Sequence, residues 1–507
     1  MEELLAWSEA EGITVHGSIT LLRKGEFGSQ GTAESDIPAG TTLASIPYKA
    51  CLTPRLAARH FGVAFGVLAR ENLEGAVLAL YLITCLPAHA HRNPAGRRRW
   101  SAYVDALPAT FDTLEYWSDG ELGLLSGTGL LVDVRARQER WRKQLGRVLE
   151  LVRWSGETVA AHEWTWSMTV LSSRSFPSSL IPPHADDDGD DGTKSTASHP
   201  ILLPVLDTFN HASPLPISWL STATHLSFLS GAPVRGGAQV FNNYGNKSTA
   251  EFLTTYGFLS GPDVLALRLP GHDETYLVTE SEPVPHALIH ALLGPSPTWH
   301  DEVRGILGIV RGILQKRTGM RLPPSPAPAA DPRPGDSEGE SESESESRSG
   351  CRRDLATRYV AGQVALCDAS VHALSRSVSG ILHNHGDHVI VLDHAFKDDS
   401  FVRSLNLCFG VASRADAEAS GLVDVVFALY LLYARTVGEA GEPLQAQDGD
   451  PEQLEQIEDL WQQIESCREI APQVFGSLDE SSFREAMLRV WNESTEFNGT
   501  LYIFLGE

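Results

Sequence analysis

The sequence predicts an α+β protein, with β-rich segments and a helical interruption in its first half and a mostly α-helical C-terminal part. Three observations carry this. Short runs alternate with period two near the N-terminus, and strand-like segments return at Ile201. A long helical pattern lies between those two β-rich regions. Beyond a Pro/Ser/Glu-rich segment, apolar residues recur at helical spacing. At 507 residues the chain has length for roughly three domain-sized units and a large buried core.

Taken in order, Gly12-Ile-Thr-Val-His-Gly-Ser-Ile-Thr-Leu-Leu22 alternates in part, and Thr41-Thr-Leu-Ala-Ser-Ile-Pro47 is a second β-rich run. Residues 71–86 switch to helical spacing through Leu73, Val77, Leu80 and Tyr81. Residues 135–154 form an amphipathic helix of mixed charge, and Trp164 to Phe176 is another helical candidate. Within the first of these, Val148-Leu-Glu-Leu151 resembles the first strand of a Rossmann-type methyltransferase. The bulky Val-Arg-Trp-Ser-Gly that follows cannot approach a cofactor closely, so the helix is the better reading. Pro182-Pro183 and an acidic loop break the pattern before strands return at Ile201.

Residues 323–350 read as a disordered acidic linker, because Pro-Pro-Ser-Pro-Ala-Pro followed by alternating Ser-Glu cannot bury a core. Helices are expected at 353–377, 421–436, 451–468 and 481–492. No repeat of fixed period is present.

Bulk properties exclude several classes. The strongest apolar run, Leu422 to Ala434, is shorter than a membrane span and contains Asp424, so a buried helix is expected and no membrane partner. The acidic start, Met-Glu-Glu-Leu-Leu-Ala-Trp, lacks the basic and apolar regions of a secretory or transit signal. Six cysteines without a Cys-x-x-Cys pair fit reduced thiols in an intracellular protein, expected in the cytoplasm and also in the nucleus. Net charge is −25, and acidic runs at 186–191 and 336–346 supply much of it. No basic stripe is present to neutralise phosphates, so a nucleic-acid partner is not expected. A basic, lysine-bearing protein partner suits the field, and the chain is expected to be a monomer. His383-Asn-His-Gly-Asp-His388 matches a dimetal hydrolase pattern, but no histidine follows His394, and a polar turn before a strand is the better reading.

Two segments carry the chemistry: Leu203-Pro-Val-Leu-Asp-Thr-Phe-Asn-His211, and Phe241-Asn-Asn-Tyr-Gly-Asn-Lys-Ser-Thr-Ala-Glu-Phe-Leu-Thr-Thr-Tyr-Gly-Phe258. Asp-x-x-Asn-His, Asn-Tyr-Gly, Lys-Ser-x-Ala-Glu and Tyr-Gly-Phe follow one another in this order. Upstream stand Ser172-Ser-Arg-Ser-Phe176 and the turn Gly25-Glu-Phe-Gly28. Together these motifs resemble SET-domain protein methyltransferases, most closely the subgroup typified by the Rubisco large-subunit lysine methyltransferase. The resemblance covers residues 12–260.

It implies a SET β-fold over 12–260, a helical insertion at about 55–165, and a helical, substrate-binding-like domain from 261–322 and 351–507. It implies S-adenosyl-L-methionine as cofactor and lysine of a non-histone protein, ribosomal or translation-related, as substrate. Tyr244 takes the place of the catalytic tyrosine at the inner end of a lysine channel. Glu26, Phe27, Gly28, Arg174, Asn210, His211, Tyr244, Tyr256 and Phe258 fall on cofactor-binding positions, with Arg174 as guanidinium partner of a carboxylate. Asp207 and Tyr256 fall beside the substrate channel. No metal is implied, and the zinc-binding cysteines that some relatives carry are absent.

Three departures stand out. The second glycine of the N-terminal turn is displaced to Gly31, Thr249 stands for the usual asparagine, and residues 212–243 lack the usual substrate-side tyrosine. A catalytically silent binding platform and a protein-histidine N-methyltransferase are the alternatives to lysine methylation.

Overall fold

The computed structural model describes residues 1–23, 28–182, 198–268, 274–294, 297–322, 340–436, 451–497 and 499–504. The chain forms two compact units. One comprises Met1–Leu267, Leu277–Ser281 and Lys316–Cys367; the other comprises Arg268–Tyr276, Glu282–Gln315 and Asp368–Glu507.

In the first unit, helix α1 (Glu2–Glu11) leads into β1 (Thr14–Val15), β2 (Ile19–Arg23), β3 (Ser29–Ala33) and β4 (Thr42–Pro47). The insertion follows as α2 (Pro54–Phe61), α3 (Phe65–Glu71), α4 (Glu74–Thr84), α5 (Pro94–Ala106), α6 (Asp119–Gly123), α7 (Gly129–Leu151) and α8 (Ala161–Arg174). Thr53 caps α2 by accepting from the Leu56 amide, with Pro54 at the first helical position, where a missing N–H is harmless. Helix α4 is buried on every face from Ala76 to Thr84, as expected of an apolar helix at the centre of a core. Helix α8 stops at Arg174, short of the expected Phe176, because the residue before Pro177 is steered away from helical backbone.

The chain then returns to strands: β5 (Ser175–Pro177), β6 (Pro200–Leu202), β7 (Ile217–Ser221), β8 (His225–Ser230) and β9 (Gln239–Val240), before α9 (Thr249–Tyr256). Three small sheets result, ordered β1-β4-β8-β7, β2-β3-β9 and β5-β6. Strand β8 pairs antiparallel with β4, from Thr42 opposite Leu229 to Pro47 opposite His225. Along β8, Leu226 and Phe228 point inward and are fully buried.

The helix Glu340–Asn384 begins eleven residues inside the segment expected to be a linker, so 340–350 is helical; residues 323–339 lie outside the described residues. Glutamate is a good helix former, and the downstream amphipathic run supplies the nucleus that Ser-Glu alternation lacks. Arg352 of this helix donates to the Tyr116 carbonyl at 2.9 Å and pairs with Asp112 and Glu121 of the first unit, each at 3.3 Å.

The second unit is mainly helical around Phe401, Phe427, Phe475, Phe483 and Met487. It also holds a three-stranded antiparallel sheet with Thr500–Phe504 between Val389–Val391 and Thr495–Phe497. The apolar run at 422–434 is the buried helix Val423–Thr436. The histidine-rich stretch ends in a turn at Gly386–His388, and the His385 ring lies flat on Trp299 at 4.6 Å between centroids. Among the described residues, no group of three or more His, Cys, Asp or Glu is arranged to hold a metal ion. No helix among them is long and apolar enough to cross a membrane.

Candidate active site

The site forms where the two motif segments cross. The first enters through Val205, a β-branched, fully buried residue held at φ 73°. That conformation costs on the order of 1–3 kcal/mol and persists only where the surroundings fix it. It opens the short helical turn Leu206–Thr208. Asn210 and His211 then run parallel to the second segment: the Asn242 amide donates to the Asn210 carbonyl at 2.7 Å, and the Ala212 amide donates to the Asn242 carbonyl at 3.0 Å.

Strand β9 leads into this crossing along β3, where Gly31 stands opposite Val240. A Cβ on Gly31 would lie 2.7 Å from the Phe209 ring. The displaced glycine therefore has a packing role, since Phe209 covers it. Gly28, at φ 72°, makes the left-handed turn before β3. Glu26 and Phe27 lie outside the described residues.

Tyr244 is fixed at both ends. Its amide donates to His211 Nδ1 at 3.0 Å, which leaves the ring proton on Nε2, and its hydroxyl donates to the Phe209 carbonyl at 3.0 Å. Helix α9 places Tyr256 against it. The Lys-Ser-x-Ala-Glu motif is a capping box: Ser248 Oγ accepts from the Glu251 amide, and the Glu251 carboxylate accepts from the Ser248 amide. Thr249, in place of the usual asparagine, donates to the Gly261 carbonyl at 3.1 Å. At the other end Gly257, φ 81°, closes α9 with bonds to the Phe252 and Leu253 carbonyls.

The outcome is a ring cluster. Tyr244 stacks on Tyr256 at 4.7 Å and on His211 at 5.2 Å, while His211 stacks on Phe252 at 4.6 Å. Phe258 tilts against Phe252 at 5.3 Å and Tyr256 at 5.9 Å. Burial pushes the Tyr244 phenol up to about 12, raises that of Tyr256 further, and lowers the basicity of His211. At neutral pH these rings carry no charge.

Beside them lies a polar group assembled from remote segments. The Asp207 side chain is only 1% exposed. It accepts from the Tyr103 hydroxyl at 3.0 Å and from Arg174 Nη1 at 3.4 Å, and the same nitrogen donates to the Asp207 carbonyl at 2.9 Å. The carboxylate that Arg174 engages is thus Asp207. Desolvation raises the Asp207 carboxyl against the pull of Arg174, and burial raises Tyr103 well above its ordinary value. Asp207 Oδ1, Arg174 Nε and His211 Nε2 are buried without a hydrogen-bond partner. Buried polar atoms are usually satisfied, so three orphans within one site mark a place for a polar ligand.

The structure therefore brings Arg174, Asp207, Asn210, His211, Tyr244, Tyr256 and Phe258 onto the segments that meet at this crossing, while Gly28 stands in the turn before β3. Sequence reasoning missed Tyr103, Phe209 and Phe252. Tyr103 is 104 positions from Asp207 and carries no local signal. Phe209 and Phe252 lie inside the quoted motifs but read as ordinary core residues.

No family model matches the chain. It is 29% identical over 266 residues to the ribosomal lysine N-methyltransferase set10 of Schizosaccharomyces pombe, covering 51% of this chain and 45% of that protein. It is 25% identical over 266 residues to the ribulose-1,5-bisphosphate carboxylase/oxygenase large subunit N-methyltransferase of Nicotiana tabacum, covering 48% and 49%. The chain spans about half the length of the curated relatives it matches. A solved SET domain of LSMT, bound to methyllysine and AdoHcy, superposes with a TM-score of 0.58 at 16% identity, covering 83% of this chain and 98% of that one. The chain has the SET-domain fold and resembles, in sequence and in architecture, the SET-domain lysine methyltransferases that include the Rubisco enzyme.

Proposed function

We propose that the protein is an S-adenosyl-L-methionine-dependent protein-lysine N-methyltransferase acting on a non-histone, ribosomal or translation-related protein. The observation that carries this reading is the uncharged ring cluster around Tyr244 and Tyr256, beside three buried polar atoms without partners. The names of the relatives, one a ribosomal lysine methyltransferase and one a Rubisco methyltransferase, support the substrate class.

The chemistry asks for such a site. A free lysine has a pKa near 10.4, so about one in 2,500 is neutral at pH 7, and removing the proton costs about 4–5 kcal/mol. An apolar ring-walled channel disfavours the ammonium form and aligns the amine for in-line attack. The cofactor would supply, when bound, a sulfonium methyl group as electrophile, and the ring walls would hold the neutral amine, its proton lost to water, in line with that methyl. The half-buried Tyr244, neutral up to about pH 12, acts by holding the amine and walling the channel rather than as a phenolate base.

In this reading Asn210, His211, Arg174 and the Gly28 turn, with Glu26 and Phe27, hold the cofactor. Tyr256 and Phe258 line the cofactor and channel. Asp207, expected beside the channel, acts from beneath it by holding Arg174. We assign the protein to the cytoplasm as a monomer, with a basic substrate suited to a net charge of −25.

The test is incubation with labelled cofactor and lysate from a strain lacking the protein, followed by mass-spectrometric mapping of the modified residue. Wild type should label lysine, and Tyr244→Phe should slow labelling by ~10²-fold, about 2.7 kcal/mol of barrier, with cofactor affinity nearly kept. Labelled histidine, or no labelled protein at all, overturns the proposal.

A further inference from the structure

Inside the first unit, α7 of the insertion contributes Arg137, whose guanidinium pairs with Glu115; the two side chains are 13% and 1% exposed. Glu115 sits in the short helical turn Leu114–Tyr116, just after the loop that carries Asp112. The same Arg137 fork donates through Nη2 to the Thr254 carbonyl at 2.8 Å. That carbonyl belongs to the last turn of α9, two residues before Tyr256. Gly257, directly after Tyr256, packs on the Asp112 loop so tightly that a Cβ there would lie 2.7 Å from the Asp112 carbonyl carbon. One loop and one helix of the insertion thus grip the end of α9 from two directions.

A buried ion pair is weak evidence for stability, since an apolar pair of similar volume is often as good or better. Its geometry here offers a different reason. A single nitrogen, Arg137 Nη2, meets both the Glu115 carboxylate and the Thr254 carbonyl, and the planar guanidinium fixes the direction in which it does so.

We propose that Arg137 and Glu115 are positioning residues, through which the insertion sets the place of Tyr256 and so the ring stack with Tyr244. This rests on the reading of Tyr256 as part of the acceptor channel. A displacement of about 1 Å at such a wall can cost on the order of 10²-fold in rate.

Two variants of the full chain test it. Arg137→Lys keeps the charge but loses the planar guanidinium that fixes where Nη2 meets both partners. The double variant Arg137→Met, Glu115→Gln removes both charges and leaves neither stranded. Tyrosine-labelled NMR should show the mutual ring-current shifts of Tyr244 and Tyr256 collapsing in both variants. Amide exchange over Thr254–Phe258 should quicken by about 10-fold or more. In methylation assays kcat should fall by about 10-fold or more while KM for the protein substrate changes far less.

Unchanged ring shifts and an unchanged kcat, with only a lower Tm, would mean the pair is merely structural and would overturn the proposal. Should the double variant fail to fold, the lysine variant decides. Should wild type methylate nothing, the function proposed above fails, while the NMR and exchange readouts still decide this one.

Discussion

The two halves of the candidate site are built by opposite means. The ring half, Tyr244, Phe252, Tyr256 and Phe258 with His211, comes from two segments within 48 residues of each other. Capping of α9 by Ser248, Glu251 and Gly257 sets much of its geometry. The polar half, Arg174, Asp207 and Tyr103, joins the end of α8, a strained turn and a helix of the insertion. In stability, though not in turnover, the ring half tolerates small errors of placement, because ring contacts weaken gradually with offset. The polar half does not, because its buried groups depend on a few directional hydrogen bonds to one another. The half that is hardest to foresee is therefore the one whose loss should unfold the site.

The largest effect should come from breaking the polar half. Asp207→Ala strands Arg174 and Tyr103 in a buried setting and should destabilise the first unit by about 3–5 kcal/mol, read by denaturant unfolding. A loss under ~1 kcal/mol would mean the triad is solvated and the comparison fails.

A smaller loss is expected at the seam between the halves. Gly31→Ala pushes a methyl group into the Phe209 ring, whose carbonyl anchors the Tyr244 hydroxyl. Overpacking of this kind costs roughly 1–3 kcal/mol, and adding Phe209→Leu should recover part of it. Strictly additive losses in the double variant would show that the two residues do not meet.

The smallest effect lies in the ring half. Burial lowers the basicity of His211, so as pH falls below 6.5 the unfolded chain takes up that proton before the native one does. Stability should then decline, by under about 1 kcal/mol for a half-exposed ring, and level off below the native value. Protonation also turns Nδ1 from acceptor to donor against the Tyr244 amide. Thermal melts from pH 8 to 5 on wild type and His211→Gln should diverge below 6.5; parallel curves would remove His211 as the source.

The sequence was most legible where chemistry is local. Asn-His, the Ser248–Glu251 capping box and both Tyr-Gly pairs announce themselves because each acts over a few residues. Helices α4 and α7 were readable from periodicity, whereas α2, which is short, and α5, which is interrupted by Arg97-Arg98-Arg99, were not. Tyr103, Arg137 and Glu115 gave no sign, since a buried polar residue is distinguishable from a surface one only once its remote partner is in place. The displaced glycine shows a further limit: its departure from the family pattern is a packing choice set by Phe209.

The pairing of β4 with β8 joins residues as far apart as Thr42 and Leu229, and the crossing at His211 and Asn242 closes only after β8 and β9 are in place. During synthesis β4 cannot pair with β8 until Ser230 has left the ribosome, nor β3 with β9 until Val240 has. At roughly 5–20 residues per second that leaves the early strands waiting ten seconds or more for partners. The insertion can collapse first on its own local helices, with α4 as its apolar centre. A nascent chain of this length is expected to be a helical globule with unpaired strand edges, the kind of species on which chaperones act.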